Sequence, residues 1–311
     1  MIELVSVSKS FGPTEAGRHT RIAVDDLSFS VARGEMFGVI GPDGAGKTTT
    51  LRLMCGLLAP DRGTVRVAGA DPFKTHRAAT ASIGYVSQRF SLYGDLSIDE
   101  NVAFFASIHG VRDFTGRRTR LLELTGLLPF RTRRADRLSG GMKQKLALAC
   151  TLVHEPPILV LDEPTTGVDP VSRREFWKLL AEFLRQGLTI ILATPYLDEA
   201  ERCARVALLN EGRLLALDDP ARLQASAEGV TVEVVVVPGL HRRALDVLRG
   251  AFGDRRVQLF GDRLHVHVSH EREADGMAAT LHAAGIEATS VRSIVPTLED
   301  VFIELLAEEK V

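Results

Sequence analysis

The sequence predicts an α/β protein, a parallel doubly wound sheet interrupted by a mostly helical insert and followed by a small α+β module. Three observations predict it. First, "MFGVIG" leads through the glycine loop "GPDGAGKTT" into "KTTTLRLMCGLL", which is strand, loop and helix in that order. Second, "ILVLDE", "REFWKLLAEFLRQG", "LTIILAT" and "YLDEAERC" alternate strand and helix, as a parallel sheet requires. Third, the segments beyond Gly229 read β-α-β-β-α-β, the order of a ferredoxin-like module.

Taken along the chain, "IELVSV", "IAVDDLSFSV", "MFGVIG" and "TVRVAG" are short strands within residues 2–70. From residue 97 to 154 the pattern turns helical. "SIDENVAFFASIHG" opens with Ser97 and Glu100 in capping-box spacing, and "GGMKQKLALACTLVHE" comes after it. The hydrophobic pattern resets in the turn-rich stretch Leu217 to Gly229, which predicts a first domain over residues 1–220 and a second over 228–311. In the second, "VTVEVVVV", "RRALDVLRGAF", "RVQLF", "RLHVHV", "EADGMAATLHAAG" and "EATSVRSI" supply the module, and Thr297 is placed to cap a last helix, "TLEDVFIELLAEE".

With 311 residues, 45% of them hydrophobic and 25% charged, the chain has the composition of a globular protein. A net charge of −2 gives no basic field, so no nucleic-acid partner is expected. The runs "GRRTR" (116–120) and "RTRRADR" (131–137) read as solvated helical faces. No window approaches the roughly 18 apolar residues of a membrane span, and Glu3 and Lys9 interrupt the N-terminus where a signal peptide would be apolar. A cytoplasmic protein is therefore expected. Cys55, Cys150 and Cys203 lack metal-ligand spacing and read as reduced core residues. His265 and His267 share a strand face, a pattern that fits surface histidines better than a metal site without a second ligand pair.

"GPDGAGKTT", Gly41 to Thr49, satisfies G-x-x-x-x-G-K-[ST] with a strand before it and a helix after it. Gly41, Gly44 and Gly46 let the backbone N–H groups converge on phosphate oxygens, and the helix N-terminus adds roughly half a positive charge. Lys47 would meet the β and γ phosphates and Thr48 would ligate Mg²⁺, so ATP and Mg²⁺ are the expected cofactors. The loop residues Pro42, Asp43, Ala45 and Thr49 join them as nucleotide-binding candidates. A carboxylate for the metal is expected from Asp162, at the end of "PILVLDEP", where ligands sit in open α/β sheets. Glu163 is placed to orient or deprotonate an attacking water.

"LSGGMKQ", Leu138 to Gln144, resembles the signature sequence of ABC-type ATPases. Ser139, Gly140 and Gly141 at a helix N-terminus also make a second anion site. The resemblance covers residues 1–220. It implies a P-loop NTPase of ABC type with an antiparallel β subdomain and a helical subdomain at about residues 90–155. It further implies that two such cassettes, in a homodimer or heterodimer, close head to tail with ATP between the phosphate loop of one and the signature of the other. Gln88 then resembles the Q-loop residue that touches Mg²⁺ and faces a transmembrane partner. Phe11 resembles the aromatic that stacks on adenine, with a core phenylalanine as the alternative. Asp169 resembles the D-loop acid and also suits an N-cap before Pro170.

Two positions depart from the family pattern. Met142 replaces the more usual glutamine, beyond the phosphate-facing residues. Pro195 stands where the family has the H-loop histidine, which contacts the γ-phosphate and helps position water. Proline has no ionisable group and no N–H, so Thr194 as N-cap with Pro195 at N1 is its expected structural role. Turnover is expected to be slow, with Glu163 carrying the chemistry. The C-terminal module and "TLEDVFIELL" are similar to those on ATP-binding subunits of drug and polymer exporters with separately encoded membrane subunits. The implied function is an ATPase subunit of an exporter on the cytoplasmic face of the membrane. The alternative is a weakly active regulatory subunit in which ATP serves mainly to hold a dimer.

Overall fold

The structure, a computed structural model, describes residues 1–12, 20–75, 79, 81–88 and 92–308. Most of the stretch Pro13 to Arg21 lies outside them. The chain divides into two compact units, Met1–Leu217 and Asp218–Val311.

The first unit opens with β1 (Ile2–Phe11), β2 (Arg21–Val31) and β3 (Met36–Ile40), then α1 (Lys47–Met54), β4 (Arg62–Val67) and β5 (Ile83–Val86). A helical stretch comes next: α2 (Ile98–Ile108), α3 (Thr115–Leu124) and α4 (Gly140–Leu152). The unit closes with β6 (Ile158–Asp162), α5 (Pro170–Arg185), β7 (Thr189–Thr194), α6 (Leu197–Ala200), β8 (Arg205–Asn210) and β9 (Arg213–Asp218). β2, β1 and β4 form a small sheet in that order, with both pairs antiparallel. The central sheet runs β5-β6-β7-β3-β8-β9, and β5 through β8 pair in parallel. One apolar cluster joins the small sheet, α1 and the central sheet, and Phe29 of β2 stacks on Phe37 of β3 at 5.2 Å.

Every residue of β3, β6 and β7 is buried, as expected of central parallel strands. Their register pairs Ile40 with Thr194 and Asp162 with Ala193. The segments beginning at Gly41, Glu163 and Pro195 therefore leave the sheet side by side at its C-terminal edge, where open α/β sheets bind ligands.

α2 starts with the Ser97–Glu100 capping box. The run 116–120 lies in α3, but it is not a purely solvated face, since Arg117 pairs with Glu155 at 2.9 Å and Arg118 with Asp99 at 3.6 Å. The run 131–137 does not lie on an α-helix. It follows the 3₁₀ turn Leu128–Phe130 and ends in a second one, Ala135–Arg137, with Arg131 on Asp99 at 2.6 Å and Arg134 on Asp95 at 2.9 Å. Turn geometry and ion pairs spread these arginines instead of lining them up. Cys55, Cys150 and Cys203 are buried free thiols, and burial pushes Cys55 and Cys203 up to about 12.

The second unit holds α7 (Pro220–Ser226), β10 (Val230–Val236), α8 (His241–Phe252), β11 (Val257–Phe260), β12 (Arg263–Val268), α9 (Asp275–Ala283), β13 (Ala288–Ile294) and α10 (Leu298–Glu308). The sheet order β11-β12-β10-β13, antiparallel throughout, is the ferredoxin-like arrangement. Its apolar face, with Val232, Val234, Leu264 and Val266, packs on Leu248 of α8 and Met277 of α9. Thr297 caps α10, accepting the Asp300 N–H at 3.2 Å. The opposite face of the sheet corrects the reading of the histidines. His265 is buried, with Nδ1 2.9 Å from Asp300 of α10, and His267 lies 3.6 Å from Glu304. The histidines, two residues apart on β12, share the face that α10 covers, and carboxylates of α10 pair with them.

Candidate functional site

The loop from Gly41 to Gly46 leaves β3 and enters α1 at Lys47. Glycine is required at both of its ends for different reasons. Gly46 has φ +98°, and a Cβ there would lie 2.3 Å from the Ala23 carbonyl oxygen. At Gly41 a Cβ would lie 2.3 Å from the Leu209 carbonyl oxygen. The loop thus rests directly on the backbones of β2 and β8. No side chain caps α1, so the N–H groups of its first turn remain available to an anion.

Lys47 is only 5% exposed. Its ammonium donates to the carbonyls of Gly41 at 2.9 Å and Pro42 at 3.0 Å, and it lies 3.7 Å from Glu163 Oε1 and 3.9 Å from Asp43 Oδ1. Thr48, one residue on, donates its hydroxyl to Asp162 Oδ1 at 3.0 Å. Asp162 is the buried last residue of β6, and its other oxygen accepts the Tyr85 hydroxyl at 3.1 Å. Burial, reinforced by the Asp162 charge, pushes the Tyr85 phenol well above its ordinary range, so it remains a donor.

Glu163 sits at φ +48°, a region that costs a side-chain-bearing residue and that recurs at functional sites. Its N–H donates to the Ala193 carbonyl of β7 at 2.9 Å. Its carboxylate Oε2 accepts Gln88 Nε2 at 2.8 Å and the Thr166 hydroxyl at 3.4 Å. Gln88 is thus brought to Glu163 and not to the Thr48–Asp162 pair.

Lys47, Thr48, Asp43, Gln88 and Glu163 open onto one cleft of 440 Å³, within the range of about 300–1,000 Å³ for small-molecule sites. Phe11, Gly44, Gly46 and Thr49 also line it. Phe11 is 41% exposed at the cleft margin, which removes the core alternative. Arg21 and Ala23 line it too, although neither belongs to a motif in the sequence. Arg21 stands opposite Phe11 in the β1–β2 register, and its guanidinium reaches toward Gly44.

Ser139 caps α4, accepting the Met142 N–H at 3.3 Å. It, Gly140 and Gly141 do not line the phosphate-loop cleft; Gly140 faces a neighbouring cleft with Gln88, Lys143 and Thr166. The structure adds a packing reason for the second signature glycine, since a Cβ on Gly141 would lie 2.4 Å from Ser172 Oγ of α5. Asp169 caps α5 ahead of Pro170, accepting the N–H groups of Ser172 at 2.9 Å and Val171 at 3.1 Å, and these bonds hold its carboxyl below the usual range.

The segment after β7 differs from the expected cap. Thr194 is the buried last residue of β7, and α6 begins only at Leu197, preceded by Tyr196. The Thr194 hydroxyl accepts the Tyr196 N–H at 3.1 Å, a turn in which Pro195 is the corner and not the first helical residue. The physical reason is that Tyr196 is itself extended, at φ −90° and ψ 114°, so no helix can begin at Pro195.

Residues 24–166 match the ABC transporter family. The probable multidrug ABC transporter ATP-binding protein YbhF of Escherichia coli K12 is 42% identical over 291 residues, 91% of this chain but 49% of that protein, so the chain spans about half its length. The Nod factor export ATP-binding protein I of Paraburkholderia xenovorans is 38% identical over 99% of this chain and 97% of its own length. The chain belongs to the ABC transporter ATP-binding proteins. The daunorubicin resistance ATP-binding protein DrrA3 of Streptomyces coeruleorubidus is a further relative of this ABC protein, 36% identical over 93% of this chain and 92% of its own length. Among solved structures, an ATP-binding subunit of an ABC transporter superposes with a TM-score of 0.63 at 29% identity, covering 72% of this chain and 92% of its own. A dimeric ATP-binding cassette in a post-hydrolysis state, bound to ADP and Pi, gives 0.62 at 25% identity, covering 70% of this chain and 98% of its own. Among the described residues, no helix is long and apolar enough to cross a membrane.

Proposed function

We propose that this ABC protein binds and hydrolyses ATP to power export through a separate membrane subunit, with a second cassette completing each site. The observation that carries the reading is the convergence of Lys47, Thr48 and the Glu163–Gln88 pair on one cleft at the C-terminal edge of a parallel sheet, with buried Asp162 directly behind Thr48. Lys47 and the first-turn N–H groups of α1 bind the β and γ phosphates, and Phe11 stacks on the base at the cleft margin. Thr48 and Asp162 form an oxygen-only donor set suited to Mg²⁺, with Gln88 on the neighbouring Glu163. When bound, the ion neutralises charge on the phosphate oxygens.

Glu163 orients the attacking water and accepts its proton. In this structure its carboxylate is held between Lys47 and Gln88, so entry of a γ-phosphate that engages Lys47 frees an oxygen for water. Ser139, Gly140 and Gly141 approach the γ-phosphate of the opposite cassette, and Asp169 holds α5 beside them. Pro195 contributes no contact to phosphate or water, which predicts slow turnover. The name of the Nod factor export relative supports efflux as the direction, and the proposed location is the cytoplasmic face of the membrane, through the separate membrane subunit.

Glu163→Gln tests the assignment. Steady-state turnover is expected to fall by on the order of 10²–10³, with MgATP affinity kept and ATP-dependent dimers accumulating. Turnover at the wild-type rate in this variant would overturn the role given to Glu163.

A further inference from the structure

We propose that Glu199 is a positioning residue for hydrolysis, clamping the loop that leaves Glu163 to the turn at Pro195; this rests on the catalytic reading of Glu163. Glu199 is fully buried in α6. A single carboxylate oxygen, Oε1, accepts the hydroxyl of Thr165 at 2.5 Å and lies 2.8 Å from the guanidinium of Arg173. Thr165 is the second residue after Glu163. Arg173 belongs to α5, the helix capped by Asp169, and its guanidinium also meets Asp198 at 2.8 Å and lies 5.3 Å from the Tyr196 ring centre. One oxygen therefore joins the loop after β6, the first turns of α5 and the segment after β7.

The other oxygen, Oε2, is buried and has no hydrogen-bond partner among the described residues. Burying a carboxylate with half its acceptor capacity unused is a poor way to stabilise a fold, because desolvation cancels much of the attraction. What the arrangement does supply is a fixed geometry. Glu163 needs one, since its backbone holds a costly φ and persists only when its surroundings over-determine it. The Glu163 N–H bond to Ala193 ties one end of the loop to β7, and the Thr165–Glu199 bond ties the next residues to α6. Pro195 lacks an N–H with which to brace the turn, so Arg173 on the Tyr196 ring and the Thr194 hydroxyl take that part.

The test is the double variant Glu199→Leu/Arg173→Met, which replaces the buried acid and its half-buried partner together by apolar side chains, an exchange that is often neutral for buried pairs. It is run beside Thr165→Val and Glu163→Gln in the full chain. The double variant is expected to keep the wild-type Tm and the KM for ATP while kcat falls about 10- to 100-fold, the size of effect that a misplacement of about 1 Å produces. Thr165→Val is expected to lower kcat in the same direction, with little further loss when it is added to the double variant. A folded double variant with wild-type kcat overturns the proposal. Should the double variant not fold, Thr165→Val decides, with kcat lowered at constant KM supporting the proposal and an unchanged kcat overturning it. Full turnover by Glu163→Gln would instead sink the catalytic reading beneath it.

Discussion

β6 and β7 run side by side in parallel register to the same edge of the central sheet, yet they end in opposite chemistry. β6 delivers Asp162 and then Glu163, while β7 delivers Thr194, Pro195 and Tyr196, none of them a carboxylate or an imidazole. The strands themselves are alike, each wholly buried, so the sheet brings both ends to the edge regardless of the residues that come next. The last buried residue of a parallel strand thus fixes where a side chain starts, and its successor decides what can be done there. At β6 that successor is a glutamate in a costly conformation. At β7 it is a proline that starts a turn and offers no donor.

The loop that both strand ends face gives the most severe challenge to this contrast. Gly46→Ala forces a Cβ within 2.3 Å of the Ala23 carbonyl oxygen at φ +98°. Strain and overpacking together cost about 3 kcal/mol. Chemical denaturation is expected to show that loss, and nucleotide titration at least about a tenfold loss of ATP affinity. Wild-type affinity would mean that the loop does not need its present contact with β2.

A smaller effect lies away from both strand ends and serves to separate global stability from the site. His109 and His154 stack at 3.7 Å. Burial, and then the neighbouring His109, pushes His154 from 6.5 down to about 4, and burial also lowers His109. The folded protein therefore binds fewer protons than the unfolded chain between these values. The stabilisation is present at pH 7 and drains away as pH falls from about 6.5 towards 4. Urea midpoints measured at pH 7 and pH 4.5 are expected to fall less steeply with acid in His154→Phe, which keeps the stack and removes one titrating ring. An identical acid slope in both proteins would contradict this.

Legibility in the sequence tracks chain distance. The phosphate loop, the Ser97 and Asp169 caps and the Asp162–Glu163 pair lie within short contiguous stretches, where strand, turn and helix patterns are self-contained. The order of the ferredoxin-like module is equally local. Hidden from the sequence are the features that depend on which strands become neighbours. Tyr85 reaches Asp162 only because β5 pairs with β6 across a long helical insertion. Arg21 faces the cleft only through its pairing with Phe11, and Gly141 meets Ser172 only through the packing of α4 on α5. Thr194 departs from the expected cap for a local reason. A threonine before Pro-Tyr has the composition of a helix start, but Tyr196 stays extended, and the threonine hydroxyl only closes a turn onto its N–H. His265 is buried rather than at the surface because its partner, Asp300, arrives from the last helix.

Hydrolysis through Glu163 with no help from the end of β7 is the proposal on which the rest depends. Steady-state ATPase of Pro195→His at saturating MgATP, with the membrane subunit present, addresses it without an intermediate step. A histidine at the end of β7 adds one oriented donor, and such a donor is worth on the order of 10²–10³ in rate. The expected result is a kcat at least about tenfold above wild type, and no gain when Glu163→Gln is present in the same chain. An unchanged or lower kcat in Pro195→His would contradict it.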